Sequence, residues 1–577
     1  MFAVAYKAAR TALNKQSESG DLVKLSSHCE DYISFKYKSD VGVALPERYL
    51  LAQLHDDLLG VERNPNSEDD LPILLILHSC MQESQRLQRS EDDEGYITKL
   101  SSWISRAVLP TKEVATDDET PEDSTNTSRQ KAIHNARRRG ILGLQSLLEL
   151  LKLPDIQQKC IPTSGEFLIS ILAFTSPRDV WSTSTSLATA QQLLTLPSIQ
   201  NALQAPGFVS AEILQGFIRP LFSASKPRTV TSAGRKAMPS SAPLKRHDFS
   251  EERASKPWLY ETIYAVTVLE WAVREISTTT LATTWPLILP PLLTLLDTPG
   301  TPLLTRSLPL ITTLLPKLPP KTLAQTGLAS VFSDAIIPVT LYLPSITPLE
   351  ESLEILPMAY EALFALYDVQ FITAPFSDSE SSSTATTIIS TSKDQNATLQ
   401  TQEKARLAFL TSILRQSILP AYLHASQHAP IITILLSQLT TLIPKLGIHT
   451  TKHIKDILPI VSSVLTDPFA GGRVQDVRVA LETFRVLLGC CWVRFRGRDG
   501  EVWRVEGVRC LVGCLGVVGE VDGIGDEDRE KLEKVKEDLR FTGRVFAKAV
   551  EGGEVDLREE LRPLLDVDES IGGSFGF

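Results

Sequence analysis

Apolar residues along this chain recur at three- and four-residue steps in one segment after another, the spacing of helices that each bury one face. The densest region runs from Trp285 to Leu366. In Trp285–Asp297 a leucine-rich face ends at Asp297-Thr298-Pro299-Gly300, and a second apolar stretch restarts at Pro302 with Leu304, Leu308, Ile311 and Leu315. That pattern predicts helix, turn, helix. Thr347-Pro348-Leu349-Glu350 then reads as a helix start: the threonine hydroxyl can accept from the amide of Glu350, the carboxylate can return to the amide of Thr347, and Pro348 stands where a missing N–H costs nothing.

The same reading extends along the chain. A modest amphipathic helix is expected from Ala3 to Leu25. A firmer one opens at Pro46, with Leu50, Leu51, Leu54 and Leu58 on one face and Gly60 as its stop. Helices follow over Pro72–Arg89 and Gly95–Val108, and a leucine-rich one over Ile141–Leu151. Shorter helices punctuated by prolines reach Phe222, and Pro257-Trp258 heads a long helix marked by Tyr260, Tyr264, Val268, Trp271 and Ile276. Further on, apolar faces recur at Leu407–Ile418, Ile432–Leu442, Ile457–Val464 and Val477–Cys491, with a charged helix over Arg529–Val550. Alternation between Glu501 and Val508 would suit a short hairpin, but inside an otherwise helical chain it is read as helix or loop.

Three windows lose this periodicity. Thr111–Arg129 is acidic and leads into the basic Arg137-Arg138-Arg139. Ser223–Lys256 is rich in Ser, Pro, Lys and Arg, and Thr373–Gln402 is a Ser/Thr tract. Such compositions bury too little apolar surface to order themselves, so they read as linkers. The resulting division is 1–110 helical, 111–139 linker, 140–222 helical, 223–256 linker, 257–372 central, 373–402 linker and 403–577 C-terminal helical.

With 577 residues the chain exceeds what one core supports, so it is several domains or an array of stacked units. Aromatics are only 7%, which leaves Leu, Ile and Val to build the core. A formal charge of −11 argues against a general nucleic-acid binder. The opening Met-Phe-Ala-Val-Ala-Tyr-Lys is too short an apolar run for a secretory segment, and seven sparse cysteines suit a reducing compartment. The longest apolar runs are interrupted by Pro, Thr or charge before the roughly 20 residues that span a bilayer, so no transmembrane helix is expected.

Candidate chemistry is thin. No phosphate loop, Gly-x-Ser-x-Gly elbow or His-Glu-x-x-His pair occurs. His424 with His428, and His449 with His453, are four apart and would share a helix face as two metal ligands, yet each pair lacks further ligands and reads better as surface or capping histidines. Cys510 and Cys514, with Cys490 and Cys491 upstream, read as buried free thiols rather than a zinc site. Arg137–Arg139 would serve as an import signal or phosphate contact, but a solvated helix end is the simpler reading. No catalytic, cofactor-binding or metal residue is assigned, and an enzyme is not expected. Leu292–Asp297 ahead of a helix carrying Arg306, and Asp476-Val477-Arg478 leading to Leu488, are similar to HEAT-type helix pairs, in which an Asp and an Arg near the turn tie one repeat to the next. The fold expected is therefore an all-α, irregular HEAT-like α-solenoid of antiparallel helix pairs, in which each pair stabilises its neighbour and the surface suits protein partners.

Trp285-Pro-Leu-Ile-Leu-Pro-Pro-Leu-Leu-Thr-Leu-Leu-Asp297, Leu343-Pro-Ser-Ile-Thr-Pro-Leu-Glu-Glu-Ser-Leu-Glu-Ile-Leu-Pro357 with Ala359-Tyr360 after it, and Pro257-Trp258 together resemble the Tel-two-interacting protein two family. The likeness covers about Lys256 to Tyr367, and more weakly Asp476 to Leu488. It implies a non-catalytic scaffold, the smallest subunit of the TTT co-chaperone complex, with Tti-one-like and Tel-two-like partners. Through Hsp90 and R2TP it would support maturation of phosphatidylinositol-3-kinase-related kinases, in the cytoplasm with the nucleus left open. No cofactor, membrane or direct nucleic acid is implied. Two other readings stand beside it: an importin-like solenoid, against which the irregular spacing counts, and a helical enzyme of unrecognised kind.

Overall fold

The structure, a computed structural model, describes residues 1–17, 41–60, 70–90, 92–115, 123–153, 163–225, 253–319, 322–323, 326–372, 391–469, 472–497, 500–519, 526–551 and 555–577. Among these the fold is all-α, and its only sheet is a two-residue parallel bridge of β1 (Tyr49–Leu50) with β2 (Leu87–Gln88). The chain divides into two units, Met1–Thr294 and Leu295–Phe577.

In the first unit α1 (Ala3–Ser17), α2 (Leu51–Leu58), α3 (Asp70–Gln82) and α4 (Asp93–Ala107) precede the long α5 (Asp123–Leu151). Helix α3 packs on α1 and α5, and Leu71 to Leu77 along it are all buried. The Tyr49 hydroxyl donates to the carbonyl of Cys80 at 2.7 Å and fixes the end of α3 against β1. Then come α6 (Gly165–Leu172), α7 (Ser184–Leu194), α8 (Pro197–Leu203), a π-helix over Phe208–Ile218, α9 (Arg219–Phe222), α10 (Pro257–Tyr260), α11 (Ala265–Glu275) and α12 (Thr278–Asp297). Pro220 explains the wide turns before it: a proline lacks the N–H and crowds the carbonyl four residues back, and opening the helix to i→i+5 bonds relieves that clash. Pro420 follows another π segment, Leu414–Ile418, in the same way.

The second unit holds α13 (Thr301–Leu314), α14 (Leu328–Ile336), α15 (Leu349–Tyr367), α16 (Thr391–Ile413), α17 (Leu419–Ala425), α18 (Ala429–Leu446), α19 (Ile454–Leu465), α20 (Val474–Arg496), α21 (Glu501–Gly519), α22 (Asp526–Val550), α23 (Leu557–Leu565) and α24 (Ser570–Phe575). From α18 onward the packing is regular. Helix α20 lies between α18 and α22, while α19 packs on α20 and α21. Thr433 meets Asp476 and Thr440 meets Thr483, so α18 and α20 advance in the same direction. Arg478 meets Asp538, Arg485 meets Thr542 and Arg496 meets the carbonyl of Glu551, so α22 continues that direction. Helices α19 and α21 return on the other side, joined by Ser462 to Glu506. This is the two-layer stack of antiparallel pairs that HEAT-like repeats form. Its interior is aliphatic with phenylalanines: Leu481, Phe484, Leu487 and Leu488 are fully buried, each worth about 2 kcal/mol of transfer free energy.

Several expectations need correction. The helix placed at Pro46 starts at Leu51, because Tyr49 and Leu50 are drawn into the bridge; Gly60, at φ +55°, does end it. The helix expected to run to Arg89 stops at Gln82, ahead of β2. Thr347 makes no capping box: α15 begins at Leu349 with Pro348 as its cap residue, and the Thr301 hydroxyl donates to Glu351 instead. The long helix from Pro257 is two pieces, broken over residues 261–264 where the amides of Glu261 and Thr262 both turn back to the carbonyl of Pro257. Of the linker over 111–139, residues 123–139 are the first half of α5, and Val114 is buried; residues 391–402 of the third linker are helix too. Periodicity missed these because a helix need not be apolar to be held by its far end. Most of 223–256 lies outside the described residues.

Three helical stretches, Thr278–Asp297, Leu349–Ile372 and Ala429–Lys452, are long and apolar enough to cross a membrane, with mean hydropathy 1.3, 1.3 and 1.6. The prolines and threonines that break these runs in sequence sit within continuous helix. In each stretch about half of the apolar 18-residue window is buried within the fold (50%, 56% and 44%).

Candidate partner-binding surface

Asp476 and Arg478, two residues apart at the start of α20, point to opposite neighbours. The Asp476 carboxylate accepts from the Thr433 hydroxyl at 2.8 Å on α18, and Arg473 flanks it at 3.5 Å. Arg478 Nε donates to Asp538 on α22 at 3.0 Å. The expectation that an Asp and an Arg near the turn tie successive repeats is met here. Such partly exposed links are individually weak, and what they contribute is register.

Behind α20 the returning helix α21 is held by a buried arginine. Arg504, 2% exposed, forms a fork to Glu560 on α23 at 2.8 and 2.9 Å and donates to the carbonyls of Phe495 and Gly497. Gly507 lets α22 close in, since a Cβ there would overlap the Phe546 ring, and Gly543 does the same for the backbone at Ser574. One side of α21 is thus fully committed. Its other side presents Val502 and Val505, 70% and 61% exposed. With Lys455, Leu458 and Pro459 of α19 and Glu501, Trp503 and Glu506 of α21 they line a hollow of about 420 Å³ whose surface is mostly apolar. A second hollow, about 440 Å³, lies in the first unit among Gln200, Gln204, Gly207, Trp271, Glu275 and Thr280.

The residues considered for chemistry are dispersed. His424 is the exposed end of α17 and His428 precedes α18, so they share no helix face. His449 sits in a 3₁₀ turn, and His453 begins α19, 5% exposed; burial and Arg415 hold its imidazole below the usual histidine range. Cys491, Cys510 and Cys514 are buried, and burial pushes each thiol up to about 12, which leaves them protonated and poor as ligands or nucleophiles. Among the described residues no three His, Cys, Asp or Glu side chains converge as a metal site would need. The arginine run is a correction: Arg137–Arg139 lie in mid-helix, with Arg138 buried and Arg137 Nε donating to the Val180 carbonyl at 2.7 Å, so they clamp α5 to the loop before α7 and are no solvated helix end. Residues 226–246, with the basic positions of the second linker, lie outside the described residues. Sequence reasoning missed the outward valines of α21; their three-residue spacing was the available signal.

A stack of paired helices of this kind defines an all-α, HEAT-like helical-repeat protein. The sequence profile of the Tti2 family matches residues 167–471, more than half of the chain, and the protein belongs to that family. The family is one of non-catalytic scaffolds and places the protein with the TTT complex and its partner subunits. No curated protein matches the chain.

Proposed function

We propose that the protein is a non-catalytic scaffold subunit of the TTT complex that binds a Tti-one-like subunit directly. Together with a Tel-two-like subunit it supports Hsp90- and R2TP-dependent maturation of phosphatidylinositol-3-kinase-related kinases, in the cytoplasm and with the nucleus as a second location. The observation that carries this reading is the family match over 167–471, which includes α18 and α19 at the start of the regular stack. The stack supports it physically: an array of paired helices offers an extended surface for protein partners. We place the partner-binding surface in the half beyond Pro257.

Affinity purification of the full-length chain from its own cells tests this. Recovery of Tti-one-like and Tel-two-like chains in equal stoichiometry is expected, together with a fall in the steady-state level of the large kinases when the chain is depleted. Recovery of neither subunit, or kinase levels that do not move, overturns the reading.

A further inference from the structure

The outward face of α21 carries a second pattern, separate from the one that anchors the helix. Arg504, Gly507, Cys510, Leu511, Cys514 and Val518 face the fold and are buried. On the other side Val502, Val505, Arg509, Val512, Gly516 and Gly519 follow one another at steps of three, four, three, four and three, the seam that one helix presents to another along a coiled coil. Polar residues are the rule on a solvent-facing strip, and here the strip is polar at a single position. Val502, Val505, Gly516 and Gly519 are exposed and Val512 is half-buried. A Cβ added at Gly516 or Gly519 would meet nothing, so that end of the seam is open for close approach. The strip runs about 26 Å at 1.5 Å per residue.

We propose that this seam docks a helix of another subunit of the complex, apolar along its own facing edge and bearing a carboxylate opposite Arg509. The inference rests on the reading of the chain as a complex subunit. Arg509 is 63% exposed and reaches Glu506 only at 3.4 Å, so its guanidinium keeps donors for a bidentate carboxylate. A single charged residue in such a seam sets register, since any shift leaves it against apolar side chains. The hollow beside Val502 and Val505, walled by Leu458, Pro459 and Trp503 and lined also by Lys455, Glu501 and Glu506, takes one large side chain of the docked helix with an apolar body. Charge argues against a second copy of this chain as the occupant. Laid parallel on itself the seam sets Arg509 on Arg509, and laid antiparallel it brings the two guanidinium groups together near its midpoint.

The test uses the full-length chain co-expressed with the Tti-one-like and Tel-two-like subunits. The exposed pair V502S/V505S, and separately Arg509→Glu, are expected to lower recovery of the complex by about tenfold or more, with the melting temperature of the free chain unchanged. Arg509→Lys keeps the charge but loses the planar fork, so its recovery is expected between that of Arg509→Glu and the wild type. A photo-crosslinking residue at position 505 is expected to join the chain to a helix of one of the other two subunits that contains Asp or Glu. Wild-type recovery by both seam variants, or a crosslink joining two copies of this chain, overturns the seam and leaves the subunit reading standing. Failure of the wild-type chain itself to recover either subunit defeats that reading, and the docking proposal falls with it.

Discussion

The stack from α18 to α22 and the stretch from α6 to α11 both bury aliphatic and aromatic side chains, yet they hold together differently. In the stack, same-direction helices lie side by side, and polar side chains bridge at matching heights: Thr433 to Asp476, Thr440 to Thr483, Arg485 to Thr542. In the earlier stretch helices are short, and rings and carbonyls at their ends do the joining. Phe222 stacks on Trp258 at 4.8 Å, Phe217 on Tyr264 at 5.9 Å, and Trp181 Nε1 donates to the Ala173 carbonyl. Long helices gain stability along their length and need cross-links only for register. Short ones concentrate it at their termini, so each terminus matters more.

The largest expected effect sharpens that contrast from the stack side. Leu481→Asp places a carboxylate among fully buried aliphatics and is expected to cost about 5 kcal/mol, read as a loss of the urea transition of the stack. Trp258→Ala tests the other regime by removing a fully buried ring and its bond to the Ser225 hydroxyl, at a cost of about 4 kcal/mol. If the tryptophan costs under about 1 kcal/mol by urea titration, the short-helix stretch does not depend on its ring contacts. Next is Glu560→Ala. It leaves the Arg504 guanidinium buried with two carbonyls and no counter-charge, for a loss of about 3 kcal/mol, whereas the double change R504M/E560L is expected within about 1 kcal/mol of the wild type.

Acid probes α5, which precedes both regions. Burial, helped by Arg138 and Arg137, lowers the His134 pKa from 6.5 to about 4. The unfolded chain therefore takes up a proton as pH falls below about 6.5, while the folded chain resists until about 4, so stability is full above that window and is lost across it. A decrease on the order of 2 kcal/mol between pH 7 and pH 4 is expected from this group, and it disappears in His134→Gln when denaturation is followed at both pH values. The smallest effect is Arg478→Ala. Its partly exposed bridge to Asp538 is worth under about 1 kcal/mol by thermal melting, and a larger loss would mean the register links carry stability as well.

Leucine spacing makes the stack legible in sequence: Ile432 to Leu442 and Val477 to Cys491 are helices whose periodic apolar faces are the buried ones, because each is long enough for the period to repeat. What escaped has physical causes. The first half of α5 carries no apolar stripe, since it is held by side chain-to-carbonyl bonds and by its leucine-rich second half. The Pro46 start failed because pairing of Tyr49–Leu50 with Leu87–Gln88 is a contact distant in sequence. Helix α24 is glycine-rich and forms because the backbone at Ser574 fits onto Gly543. The candidate surface is half-legible: Val502, Val505 and Val508 fall in the window whose alternation would also suit a hairpin, and only the burial of Arg504, Gly507 and Cys510 shows which side of the helix is left free. A fragment starting at Lys256 would also separate Trp258 from Phe222 and Ser225, so full-length variants are the cleaner probe.

The antiparallel order of the stack also fixes where its peptide dipoles point. Helices α18, α20 and α22 bring their negative C-terminal ends to the edge where α19 and α21 begin with positive N-terminal ends. The side chains there follow suit: Lys445, Arg494 with Arg496, and Lys548 lie in the last turns of the first set, and Asp456 and Glu501 in the first turns of the second. At that edge the helix ends are neutralised locally, so like-directed helices can lie side by side there with less mutual repulsion, and the sign of the charge at each of those turns follows the direction in which the chain passes it.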